Sequence, residues 1–166
     1  PSAIDLAIGR NIADLIEDGA TLQAGIGAIP DAALSQLADR RDLGFHSGAM
    51  GDGAAALWES GAITNARKSI DPGIGVAGIL LGGEHIRRLA HRNPALEIRS
   101  TEHTHSPQVL GRIERFVALN SAIEVDLSGQ INSEVAANRY LGAVGGLLDF
   151  LRAAGASWGG APIVAL

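Results

Sequence analysis

The 166-residue sequence contains no cysteine. This absence excludes disulfide bonds, thiolate metal ligands and a cysteine nucleophile within the chain. Aromatic residues make up only 4% of the sequence, whereas glycine occurs 22 times. Because glycine loses more backbone entropy on folding than other residues, such frequent use indicates many positions where the backbone turns tightly or closely approaches another group.

Long apolar runs and an excess of basic charge are also missing. No apolar run approaches the roughly 20 residues that a membrane-spanning helix needs. The formal net charge is −5, which argues against a nucleic-acid partner because such partners normally meet a basic surface. The first residues lack the basic and apolar segments of a secretory signal. We therefore expect a cytoplasmic globular protein without a membrane or nucleic-acid partner.

Helix and strand patterns alternate along the whole chain. Strands are predicted at 21–24, 43–47, 75–81, 96–99 and 162–166, and two more within 115–127, separated near Asn120. Helices are predicted at 4–16, 30–39, 52–60, 84–91, 107–113 and 145–154. This alternation predicts a single α/β domain over residues 1–166, with a mainly parallel sheet and helices on both faces. In such sheets, ligands bind beyond the carboxyl ends of the strands.

Gly25 and Gly27 follow the first predicted strand and precede a helix. Glycines at this position let backbone amides approach an anion, and the helix N-terminus adds partial positive charge. The stretch is not a dinucleotide-binding G-x-G-x-x-G pattern, because Pro30 stands at the third glycine position. A plain tight turn explains the two glycines equally well.

A second glycine-rich stretch, Gly142 to Gly146, precedes the last predicted helix. The amides of Gly145 and Gly146 are candidates for an oxyanion hole, in which backbone N–H groups stabilise negative charge that develops on a carbonyl oxygen. The two glycines therefore indicate a catalytic role for this turn.

Polar side chains are concentrated in residues 120–134, a segment that otherwise has the character of a buried strand. Buried polar groups are costly unless they are paired, so this concentration indicates either a functional site or a structured polar network. Glu124 and Glu134 are its carboxylates of interest, and Glu134 is the candidate catalytic one. The alternative is a turn stabilised by Asp126, Asn132 and Ser133.

Histidine and carboxylate side chains also occur together at residues 102–105. His103 and His105 flank one residue and follow Glu102. The spacing is loose for chelation and the segment has the character of a loop, so we predict no metal site.

Taken in order, several stretches resemble the acetyl-CoA hydrolase/transferase family, which includes 4-hydroxybutyrate CoA-transferases. The matching stretches are 22–30, 42–47, 52–53, 61–65 with Lys68, 120–130, 145–150 and 159–166. The resemblance implies a class I CoA-transferase-like half, in a longer protein whose active site lies between two similar α/β halves. Residues 1–166 would then be the first part of the C-terminal half, with the N-terminal half and the extreme C-terminus absent.

The family resemblance implies ping-pong chemistry on a coenzyme A thioester, with a small carboxylate as acceptor and no other cofactor. A glutamate carboxylate attacks the thioester, CoA moves onto that glutamate, and the acceptor then takes it. Water in place of the acceptor gives hydrolysis. Gly25 and Gly27 match CoA-binding positions, and Gly145 and Gly146 match oxyanion positions. The full-length protein is expected to be a homo-oligomer.

The sequence departs from the family pattern at the nucleophile. An ungapped alignment places Gly48 at the position of the catalytic glutamate. One interpretation assigns the nucleophile to Glu134, Glu102 or the missing half, and another has Asp52 or Glu134 activate water directly. A third is an acyl-CoA-binding relative without turnover. Residues 1–166 alone are predicted to show little or no turnover, since half of a shared active site is absent.

Overall fold

The computed structural model describes residues 1–141 and 145–166. The helices are α1 (Ala3–Ala13), α2 (Ala28–Leu34), α3 (Asp52–Glu59), α4 (Glu84–Ala90), α5 (Thr101–Thr104), α6 (Pro107–Leu110) and α7 (Leu147–Ala156). The strands are β1 (Thr21–Ala24), β2 (Gly44–Met50), β3 (Gly75–Leu80), β4 (Leu96–Ile98), β5 (Phe116–Ser121), β6 (Glu124–Val125), β7 (Ile131–Asn132), β8 (Val135–Ala136), β9 (Arg139–Tyr140) and β10 (Ala161–Ala165). Within these described ranges, no helix is long and apolar enough to cross a membrane.

Six strands form one sheet in the order β10-β5-β1-β2-β3-β4. Every adjacent pair in this sheet is parallel, which confirms the predicted parallel sheet. The chain first steps from β1 outward to β4, and it then returns to place β5 on the other side of β1. The chain segments that leave β1 and β5 therefore diverge, and a ligand crevice is expected at the carboxyl ends of these strands.

Strand β5 shows that helices cover both faces of the sheet. Its successive side chains point to opposite faces, as the pleat of a strand requires. Phe116 and Ala118 pack with Phe150 of α7 in one apolar cluster. Val117 and Leu119 belong to a second cluster, which contains side chains from α1 to α4. The predicted arrangement of helices on both faces is confirmed.

The turn from β1 into α2 depends on Gly27. This residue precedes α2 with a φ of 140°, a backbone conformation that residues with a Cβ rarely adopt. Helix α2 consequently begins at Ala28, two residues before the start predicted at Pro30, and it ends at Leu34 rather than near Asp39. The turn leads from the carboxyl end of β1 into α2, and Ala24 and Gly25 line a crevice at this end of the strand.

Two regions differ from the expected elements. Residues Thr101–Thr104, predicted as part of a loop, form the single-turn helix α5. Residues between Glu124 and Tyr140 form two small antiparallel pairs, β6 with β7 and β8 with β9. The two strands predicted within 115–127 are present, and β5 ends at Ser121, close to the break expected near Asn120.

Candidate active site

A crevice of about 190 Å³ opens at the carboxyl edge of the sheet, beside the point where the strand order reverses. Its walls come from the ends of β1, β2 and β5, the residue after α5, and the start of α7. The lining residues are Gln23, Ala24, Gly25, Gly48, Ala49, His105, Asn120, Gly146, Leu147 and Phe150. Three glycines from separate parts of the chain thus meet around one small space.

A pair of buried amides joins the two strands at this crevice. The Gln23 side chain of β1 donates a hydrogen bond of 3.2 Å to Asn120 Oδ1, and the Asn120 side chain donates one of 2.9 Å to Gln23 Oε1. Both side chains are buried. Because each amide satisfies the other, the crevice holds two polar groups without the cost of unpaired burial.

Gly25 and Gly27, the predicted CoA-binding pair, are separated in the structure. Gly25 lines the crevice, but its N–H donates to Leu119 O at 2.8 Å. Its contribution is therefore space for a close approach, since its amide is already engaged. Gly27 stands at the start of α2, where a Cβ would meet nothing within 4 Å, and it is not among the lining residues.

Gly48 lies in the β2 wall of the crevice, as the alignment of the catalytic position implies. A Cβ built at this residue would lie 2.8 Å from His105 Cε1 and 2.9 Å from His105 Nε2. Both distances are shorter than van der Waals contact. The imidazole of His105 thus occupies the space into which a side chain at position 48 would extend.

Of the two candidate oxyanion glycines, one lines the crevice and the other does not. Gly146 lines the crevice, and a Cβ there would overlap the rings of His105 and Phe150. Gly145 is exposed, and a Cβ there would enter open space. Gly142 lies outside the described residues. Gly146 is therefore the member of this stretch that the structure brings to Gly25 and Gly48.

The predicted carboxylates do not line the crevice. Glu134 lies between β7 and β8 and accepts a 2.8 Å hydrogen bond from the Tyr140 hydroxyl. This hydrogen bond raises the pKa of Tyr140, since the carboxylate stabilises the protonated phenol. Glu102 lies exposed on α5. The catalytic roles suggested for these two glutamates stay predictions, and crevice geometry does not support them.

Asp52, the other candidate base, holds the start of α4. Its Oδ2 accepts from the Gly83 amide at 2.6 Å, and its Oδ1 accepts from the Ile86 amide at 3.0 Å. These backbone hydrogen bonds lower the pKa of Asp52, because they favour the charged carboxylate. Asp52 also lies outside the crevice lining. The contacts support a structural role rather than proton abstraction.

We expect the Asp52→Ala substitution to reduce the free energy of unfolding by about 1–2 kcal/mol, the usual effect of removing a helix cap. Turnover per folded molecule should stay unchanged, because the side chain does not face the crevice. Chemical denaturation and steady-state kinetics of the complete protein measure the two effects separately. A large loss of kcat with unchanged stability would instead support Asp52 as a base.

A separate charged group surrounds His46. Ligand atoms of His46, Asp71 and His103 lie within 4.8 Å of one another. However, Arg99 donates to Asp71 Oδ2 at 3.0 Å and lies 2.6 Å from His103 Nε2. Burial and then the nearby Lys68 cation lower the pKa of His46 to about 3, so its ring is neutral at pH 7. The two cations disfavour a metal ion here.

The His103–His105 pair considered from the sequence is thus divided between two environments. His103 belongs to the charged group around His46, whereas His105 faces the crevice. His105 was not recognisable as a crevice residue from the sequence, because the spacing of two histidines indicates chelation and carries no information on which way each ring points. The sequence feature that could have drawn attention to His105 is its place directly after the polar residues of α5.

A parallel sheet with a polar crevice at its switch point is an arrangement typical of α/β enzymes. Residues 82–166 match the model of the acetyl-CoA hydrolase/transferase C-terminal domain. The chain is 42% identical over 163 residues to a 4-hydroxybutyrate coenzyme A transferase of Clostridium kluyveri, covering 98% of this chain and 38% of that protein. The chain therefore belongs to the acetyl-CoA hydrolase/transferase family, a family of enzymes.

Solved structures agree with this assignment. RipA from Yersinia pestis superposes with a TM-score of 0.92 at 36% identity, over 100% of this chain and 38% of that chain. A 4-hydroxybutyrate CoA-transferase from Porphyromonas gingivalis superposes with a TM-score of 0.82 at 36% identity, over 94% of this chain and 37% of that chain. The chain thus has a CoA-transferase fold and spans less than two fifths of the length of these relatives.

Proposed function

We propose that the complete protein acts on acyl-CoA thioesters at the crevice, releasing CoA to water or passing it to a small carboxylate. The observation that carries the proposal is the meeting of Gly25, Gly48 and Gly146 at the switch point of the sheet. No side chain extends from these three positions, so the Gly25 backbone and the His105 imidazole, which lies against Gly48 and Gly146, border the space for a thioester directly. Membership of the family supports the same substrate class.

The chemistry of the crevice favours water as the acceptor. None of the described lining residues carries a carboxylate, and the three residues outside the described ranges, 142–144, have no titratable side chain. A covalent CoA relay needs a nucleophilic carboxylate, which the other half of the protein would have to supply. Hydrolysis needs only a positioned water, a base and groups that stabilise the carbonyl oxygen. Hydrolysis is therefore the first expectation and transfer the second.

The proposal also covers the part of the protein that would complete the crevice. We propose that residues 1–166 form part of the C-terminal half, and that another half of the protein completes the crevice. The match to a C-terminal domain model and the coverage of 38% of the Clostridium relative support this arrangement. The amide of Gly146, which lines the crevice, is proposed to stabilise the carbonyl oxygen, and the same role for the exposed Gly145 stays a prediction. A cytoplasmic homo-oligomer without a cofactor beyond the thioester substrate remains the expectation.

Gly48 favours one alternative, a relative that binds acyl-CoA without turnover. The substitution removes the nucleophile that the family resemblance implies at this position. In that case the glycine-lined crevice would retain affinity for the thioester, but no group would activate an acceptor. Binding and turnover therefore have to be measured on the same preparation.

The test incubates the complete protein with acetyl-CoA and follows free CoA, with and without succinate or butyrate. CoA release without an acceptor is the expected result. Appearance of succinyl-CoA or butyryl-CoA would assign transfer instead. Retained binding of acetyl-CoA with neither reaction would support the binding protein. Absence of both binding and turnover would contradict the proposal.

A further inference from the structure

His105 brings an imidazole into the crevice. Among the described residues that line this space, it is the sole one whose side chain is an imidazole or a carboxylate. Its Nε2 would lie 2.9 Å from a Cβ at Gly48, and a Cβ at Gly146 would overlap the same nitrogen. Nε2 is therefore positioned between the two glycine walls.

The Thr104 hydroxyl contacts Nδ1 of the His105 ring and is compatible with the tautomer that a base at Nε2 needs. The Thr104 hydroxyl is 3.3 Å from the Ser100 carbonyl oxygen, and it lies 2.8 Å from His105 Nδ1. The Ser100 oxygen also accepts from the His103 and Thr104 amides. When the Thr104 hydroxyl donates to Ser100 as well, Thr104 Oγ1 accepts from Nδ1–H of the imidazole. This leaves the lone pair on Nε2, the nitrogen that faces the crevice.

Two further contacts hold the ring in this orientation. Its centroid lies 4.6 Å from that of Phe150, and the ring planes are inclined by 45°. Phe150 is 3% exposed and belongs to the core beneath α7. The His105 backbone N–H donates to Thr101 O at 3.0 Å, which continues the turn of α5. A base oriented by a hydrogen bond through its other nitrogen is the arrangement used for proton abstraction in many active sites.

We infer that His105 is the general base that activates water for thioester hydrolysis, an inference that rests on the proposed function. Nε2 takes a proton from water as the water oxygen bonds to the thioester carbonyl carbon. The carbonyl π electrons move onto oxygen and return as the C–S bond breaks. The leaving CoA sulfur then takes the proton from Nε2. One thioester and one water give one carboxylic acid and one CoA thiol, with His105 restored.

The test compares His105→Ala and His105→Gln with the unsubstituted complete protein. A general base contributes about 10²–10⁴-fold to rate, so kcat for CoA release should fall by at least about 100-fold in both variants. Acetyl-CoA binding should change only a few-fold. His91→Ala provides the matched control, because His91 is exposed at the end of α4 and does not line the crevice.

Added imidazole separates a base from a structural side chain. In His105→Ala the vacated space can admit imidazole, and we expect saturable recovery of CoA release after the uncatalysed reaction is subtracted. In His105→Phe a ring fills the same space, and we expect no recovery. Near-normal hydrolysis by His105→Ala would overturn the assignment of His105 as the base, while hydrolysis would stand as the proposed reaction. Unsubstituted protein that releases no CoA to water would overturn this assignment and hydrolysis as the proposed reaction.

Discussion

The Gly146→Ala substitution is expected to lower kcat/KM for CoA release by about 100-fold, the loss that a 1 Å misplacement of a reacting group can cause. A Cβ at this position would overlap the His105 and Phe150 rings. Phe150 is held in the core, so the half-exposed imidazole is the ring that has to move. The substitution therefore displaces Nε2 and also narrows the space for a thioester.

Gly155→Ala provides a control for this substitution within the same helix. Gly155 lies in α7, and a Cβ there would meet its nearest neighbour, Pro162 Cγ, at 3.9 Å, an ordinary contact. Alanine is the better helix former, by about 1 kcal/mol, so this variant should be as stable as the parent and fully active. Steady-state kinetics and thermal melting distinguish the two variants. Equal activity in both would show that Gly146 does not border the reacting groups.

The sheet and its main helices were predictable because their signals are local. Gly75–Leu80 is a short apolar run, and Thr21–Ala24 is a short segment between Gly19 and the Gly25–Gly27 turn; the structure places strands at both. The two antiparallel pairs between Glu124 and Tyr140 were not predictable, since strands of two residues are too short to show a period of alternation. The concentration of polar side chains in that segment is as typical of a structured turn as of a functional site.

The candidate site was predictable only in part. Gly25 follows a strand and Gly146 precedes a helix, which identifies both as turn residues near the carboxyl edge, whereas Gly48 lies within β2. Their meeting is a consequence of strand order, which places β5 beside β1 although 97 residues separate Gln23 from Asn120. The orientation of His105 depends on Thr104 and Phe150, and no spacing rule connects these residues. The orientation of His105 toward the crevice therefore follows from side-chain packing, which the periodicity of the sequence does not reveal.

The same geometry predicts how a covalent route could be restored. The double substitution Gly48→Glu with His105→Ala is expected to introduce carboxylate-dependent CoA exchange. A glutamate at position 48 would occupy the place of the nucleophile implied by the family resemblance. A Cβ there lies within 2.9 Å of the imidazole, so removal of the His105 ring provides the room that the longer side chain needs. The change also replaces the proposed water-activating base with a carboxylate nucleophile.

Exchange between acetyl-CoA and succinate measures this gain, and borohydride or hydroxylamine traps the expected glutamyl thioester for mass spectrometry. The matched control is Gly48→Gln with His105→Ala, which has the same size and no carboxylate, so neither exchange nor a trapped adduct is expected. Gly48→Glu alone should form less adduct than the double variant, because the imidazole still competes for the space. A double variant that binds acetyl-CoA without any adduct would show that position 48 does not direct a side chain at the thioester. Equal adduct in the single and double variants would show instead that the His105 ring moves aside at little cost.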